Sequence, residues 1–136
     1  MPQVSNELNT QYWEPFANGP VAQADISAWA GLNPVPPATI AAAGNWTSAV
    51  IVADGFKAIG IGVLSTQAGA ITIQRYLDRA GLVPVGSLLS AAITGGTAQS
   101  LTVNDGVPFQ SFKASSTNTG ASTANISNFA LLLNAG

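Results

Sequence analysis

From Asn45 onward the chain is a succession of short β-patterned runs, and nothing else in the sequence constrains the fold as strongly. The runs read "NWTSAVIVA", "GFKAIGIGVLST", "GAITIQRYLD", "GSLLSAAIT", "AQSLTVN", "VPFQSFKASS" and "TANISNFALLLN". The first is rich in β-branched residues, and the second alternates apolar with other residues, the period of a strand with one buried face. Gly, Asn, Asp and Ser separate them. "DG" at Asp54–Gly55, "NDG" at Asn104–Gly106 and "TNTG" at Thr117–Gly120 hold residues that tolerate positive φ and reverse a chain. No helical period of useful length competes. Seven or so strands at this spacing predict a mainly β protein, an antiparallel sandwich or barrel, and the expected form is a jelly-roll-like β-sandwich.

Two runs can be read residue by residue. "GFKAIGIGVLST" places Ile59, Ile61 and Val63 on one face, while Gly60 and Gly62 thin the other. Glycine inside a strand marks a bulge or a close backbone approach, here one expected against another chain. "AITIQ" points Ile71 and Ile73 inward and Thr72 and Gln74 outward. The same period carries Arg75 onto the apolar face at the strand's end, leaves Tyr76 and Asp78 outside, and turns the chain near Asp78–Gly81. A short helix is the rival, since Arg75 and Asp78 are spaced i, i+3 and Ile73 and Leu77 i, i+4. Gly69 and Gly81 bracket too short a segment for a helix that must stand alone. Arg75 or Arg79 is expected to pair with Asp78 or an acid elsewhere, in a structural role.

The first part of the chain has a different grammar. Six of the eight prolines fall within the first 37 residues, and all three tryptophans within the first 46. Proline removes a backbone donor and pushes the residue before it towards extended conformations. Residues 1–44 are therefore read as an extended N-terminal arm, and 45–136 as the β-sandwich domain. Tyr12, Trp13, Phe16 and Trp29 make the arm too aromatic for a free linker. Their rings should bury on the chain's own sandwich or on a neighbouring subunit, and they are the candidate partner contacts.

Composition excludes several trades. The chain is 47% hydrophobic and only 7% charged. Its apolar content is too high for disorder, and its longest apolar runs are too short to span a membrane as helices. Solubility rests on about 40 Ser, Thr, Asn and Gln residues, which suit strands and turns. Residues 1–56 carry Glu7, Glu14, Asp25 and Asp54 and no base. The rest sets Lys57, Arg75, Arg79 and Lys113 against Asp78 and Asp105. Neither half has the several phosphate-binding cations that nucleic acid requires. The N-terminus has no positive flank and apolar stretch of the signal-peptide kind, so export by that route is not expected.

Chemistry is sparse. With no His and no Cys, the commonest general base, the common nucleophile pairings and the usual zinc ligands are missing, and Ser–His–Asp catalysis is excluded. The acids do not suggest a glycosidase pair, because Glu7 and Glu14 lie in the arm while Asp54 and Asp105 precede glycine as turn residues do. No phosphate-binding glycine pattern or run of calcium-ligating acids occurs. The expectation is a protein without catalysis, cofactor or metal. Two sequons, at Asn45 and Asn125, are short enough to arise by chance. The alternative is sugar binding, with Trp13, Trp29, Trp46, Tyr12 or Tyr76 stacking on sugar faces.

At "ITIQRYLDRAGLVPVG", "LTVNDGVPFQSF", "SSTNTGAS" and "NISNFALLLNAG" the chain resembles small accessory virion proteins of tailed bacteriophages. These are the capsid decoration or cement proteins and the short fibre-like proteins of such particles. The resemblance spans roughly Asn45 to Gly136 and lies in style, a compact β domain with polar turns and few charges. It implies a structural protein on the particle surface, binding the major capsid protein or other virion proteins without covalent chemistry. It also implies a homo-oligomer, a trimer at a symmetry axis, with the arm reaching its neighbours. The runner-up is a receptor- or glycan-binding β module of a fibre or tail.

Overall fold

The computed structural model describes residues 23–25 and 36–135 of the chain. All regular structure in them is β. Five strands make the first sheet: β1 (Gln23–Asp25), β2 (Thr39–Ile40), β5 (Ala58–Ser65), β8 (Ala98–Val103) and β10 (Ala124–Asn134). Five make the second: β3 (Asn45–Thr47), β4 (Ile51–Val52), β6 (Gly69–Tyr76), β7 (Pro84–Ile93) and β9 (Ser111–Asn118). In the first sheet β10 lies between β5 and the two short strands β1 and β2, and β8 forms the far edge. In the second, β9 lies between β6 and the short strands β3 and β4, and β7 forms the far edge. Every pairing is antiparallel. From β2 onward the chain keeps crossing between sheets, and only β3–β4 and β6–β7 follow one another within one. This winding is that of a jelly roll, so the expected sandwich is found.

Alternation decides which side chains meet. Ile59, Ile61 and Val63 of β5 and Ile71 and Ile73 of β6 are buried, facing each other across the sandwich with Phe112, Leu131 and Leu133. Burying one such side chain contributes about 1.5–3 kcal/mol. A slip of one residue would turn the whole set to water, so the hydrophobic pattern fixes the register. Gly60 and Gly62 do lie on the outer face of β5. The bulge lies in the partner strand, where the β10 register shifts between Ser127 and Ala130 and Asn128 adopts a φ of 53°. The extra residue lets Phe129 meet Trp46 edge-on, ring centroids 6.0 Å apart. Close backbone approach occurs at Gly69, where a Cβ would overlap the Thr117 carbonyl.

Three features differ from the sequence reading. "NWTSAVIVA" is two strands, because Ser48 interrupts it: its hydroxyl accepts the Ala114 N–H and donates to the Ala49 carbonyl. "TNTG" is not wholly a turn, since β9 continues through Asn118. Residues 23–25 and 39–40, within the segment read as an arm, pair with β10, and Ile40 is buried in the core. Short edge strands tolerate neighbouring prolines, so Pro36 and Pro37 stand just before β2.

Candidate functional site

Three connections meet at one end of the sandwich. They are the β4–β5 loop (53–57), the β6–β7 turn (77–83) and the β8–β9 loop (104–110). Backbone hydrogen bonds tie them together, from Ala53 N to Gln110 O at 2.9 Å and from Gln110 N to Tyr76 O at 2.8 Å. The Ser111 hydroxyl adds a bond to the Asp78 carbonyl at 2.6 Å. Between residues 36 and 135, all charged residues lie at this end or in strand segments leading to it: Asp54, Lys57, Arg75, Asp78, Arg79, Asp105 and Lys113. The opposite connections, 41–44, 66–68, 94–97 and 119–123, carry no charge.

Arg75 holds the centre. As the alternation of β6 predicts, it points inward at the strand's end, and its side chain is 2% exposed. Nη1 donates to Asp105 Oδ1 at 2.6 Å and Nη2 to Oδ2 at 2.8 Å. The guanidinium also stands 5.6 Å from the centre of the Phe109 ring. Its Nε is buried without a hydrogen-bond partner among the described residues. The Arg75 hydrogen bonds, helped by the Val107 N–H, hold the Asp105 carboxyl well below the usual carboxylate range. The acid that pairs with Arg75 is thus the turn residue Asp105, not its neighbour Asp78.

Asp78 has a different task. Its carboxylate accepts the N–H groups of Leu82, at 2.9 and 3.0 Å, and Val83, at 2.8 Å, which fixes the β6–β7 turn. The Val83 bond is the chief reason its pKa is lowered. Arg79 reaches Asp54 at 3.4 Å with both side chains largely in water, a pair that contributes little.

Two features of this end can bind. Between the first and third loops lies an open cleft of about 340 Å³, lined by Gly55, Phe56, Lys57 and Gly106 to Phe109, with largely apolar walls. On the second loop, Leu77, Leu82 and Val83 are exposed, Leu82 at 78%. Leu88 of β7 completes the set of exposed large apolar side chains among the described residues. No group of three metal-ligating side chains gathers among those residues.

The proposed arm contacts Tyr12, Trp13, Phe16 and Trp29 lie outside the described residues. Of the other stacking candidates, Trp46 is a core residue at 9% exposure. Tyr76 is half-buried, with Lys113 Nζ 5.9 Å from its ring centre. In the sequence the two Asp-Gly pairs read only as turns. Each is followed closely by a phenylalanine, in "DGF" and "DGVPF", and those two rings line the cleft.

No known protein family and no curated protein matches the chain. Among solved structures it is similar to one described as Family 16 Carbohydrate Binding Module-2, with a TM-score of 0.40 and 11% identity. That likeness covers 79% of this chain and 92% of the other.

Proposed function

We propose that the chain is a non-catalytic structural subunit that binds protein surfaces through its charged loop end, as a decoration or cement protein of a virion shell. The observation that carries this reading is the presentation of Leu77, Leu82 and Val83. Three large apolar side chains stand in water on a turn that the Asp78 carboxylate holds in place. Apolar groups fixed in advance lose little freedom on docking, and exposed apolar groups rimmed by polar ones mark protein contacts. Binding that buries them across a seam between shell subunits would favour the assembled shell over free subunits.

The test is cosedimentation of the purified chain with particles of the virus that encodes it, after removal of their own copies. The full chain should pellet with the particles, and Leu82→Asp/Val83→Asp should bind at least about tenfold more weakly, the effect of 1.4 kcal/mol. Absence of the chain from purified particles, or equal binding by the variant, would sink the proposal.

The second reading, a glycan- or receptor-binding module, is favoured by the cleft between Phe56 and Phe109 with Lys57 at its wall. Aromatic walls with a few polar groups suit a small ligand. On a glycan array Phe109→Ala should then abolish binding while Leu82→Asp/Val83→Asp leaves it intact.

A further inference from the structure

We propose that β7 is an interface between two copies of this chain, which pair antiparallel through their free β7 edges about a two-fold axis. This does not depend on what the loop end binds.

The case starts from how the sheets end. An edge strand exposes unpaired N–H and C=O groups, and proteins blunt such edges with short strands, charges, prolines or bulges. On the far side from β7, the second sheet ends in β3 and β4, of three and two residues. In the first sheet β1 and β2 are equally short, with three and two residues, and β8 has six. β7 runs for ten residues and, among the described residues, pairs only with β6. It contains no charged residue. Its protections, Pro84 and the irregularity between the partners of Ile73 and Arg75, both lie in its first half. From Leu89 to Ile93 the ladder with β6 is regular, and the opposite edge of that segment has no strand partner among the described residues.

Side chains agree with the backbone. Ile71 and Ile73 of β6 are fully buried, whereas Leu89 and Ala91, which face the same core from β7, remain half-exposed. Leu88, on the strand itself, is 57% exposed. Among the described residues the flank of the sandwich is open where a neighbouring strand would close it.

Charge placement selects a second copy as the occupant. Antiparallel pairing sets the charged loop end of one copy beside the uncharged 94–97 turn of the other, so like charges never face each other. The contact is self-complementary, as a two-fold interface must be. It also points the two loop ends in opposite directions.

The experiment is light-scattering mass measurement of the full chain across a concentration series. The expected result is twice the chain mass of 13.7 kDa. Leu88 and Ser90 are exposed, so Leu88→Lys/Ser90→Lys should fold normally, checked by circular dichroism, yet fall to the single-chain mass. Mixing it with Leu88→Glu/Ser90→Glu should restore the doubled mass, a rescue that mere loss of stability cannot give. A monomer at every concentration, a tripled mass, or a dimer indifferent to these charges overturns the proposal.

Discussion

Arg75 and Asp105 meet side-on through two parallel hydrogen bonds of 2.6 and 2.8 Å, the guanidinium buried and the carboxylate half in water. The pair closes the charged end of the sandwich by tying the last turn of one sheet's strand to a loop that leaves the other. Its asymmetry makes the consequences of breaking it unequal.

Asp105→Ala leaves a guanidinium inside the protein with no anion, which is costlier than losing both partners. The urea midpoint of Asp105→Ala should therefore fall further than that of the double variant Arg75→Met/Asp105→Ala. Equal midpoints would show that solvent at the exposed carboxylate already satisfies Arg75.

The pH dependence follows from the same contacts. Asp105 and Asp78 both have pKa values lowered in the folded state. Their contribution is present in full above the unfolded value of about 3.9 and is lost as pH falls through that value towards the lowered ones. With no histidine in the chain, the melting temperature should change little between pH 5 and 8 and then drop steeply below about pH 4. Asp105→Asn should flatten that acid limb, which thermal melts at stepped pH will read.

Glycines of β5 and β6, consecutive strands in different sheets, should respond in opposite ways to alanine. Nothing lies within 4 Å of a Cβ placed at Gly60, so Gly60→Ala should be neutral or stabilising by up to about 1 kcal/mol. At Gly69 the Cβ would overlap the Thr117 backbone, forcing β6 and β9 apart at a cost of about 1–3 kcal/mol or more. Chemical denaturation of the two variants gives the comparison directly.

Asn118 is a buried junction at the uncharged end. Its Nδ2 donates to the carbonyls of Ile40, Ala41 and Ser122 at 3.0, 3.1 and 2.8 Å, and its Oδ1 accepts the Gly120 N–H at 2.9 Å. Asn118→Ala should cost about 1–3 kcal/mol through the groups left unpaired. Asn118→Asp should be worse at neutral pH, since a carboxylate cannot donate to three carbonyls. Equilibrium denaturation at pH 7 tests the order.

How much of this was legible in the sequence depends on range. The alternation of β5 and β6 was readable because a strand's period is local, and it placed Ile59, Ile71 and even Arg75 on the correct face. The partner of Arg75 was not readable, because Asp105 lies 30 residues away and only the winding of the sheets brings it close. The same holds for Phe56 and Phe109, which line one cleft from loops about fifty residues apart. The break at Ser48 was hidden for the opposite reason, being a side-chain hydrogen bond too local to disturb the hydrophobic pattern. Tyr12, Trp13, Phe16 and Trp29, the aromatic residues of the first part of the chain, lie outside the described residues.

The position of β10 also governs when the fold can appear. It comes last of the ten strands among the described residues, yet it lies inside the first sheet, with β5 on one side and β1 and β2 on the other. A chain leaving the ribosome at about 5–20 residues per second therefore holds β2 without its ladder partner until residue 125 has emerged, and β1 until residue 134 has. Leu131 and Leu133 arrive just as late, so the second sheet waits with part of its inner face uncovered. Pairings between such distant segments close in milliseconds to seconds. The sandwich forms after its last strand is made, and until then its half-built sheets are open to chaperones or to one another.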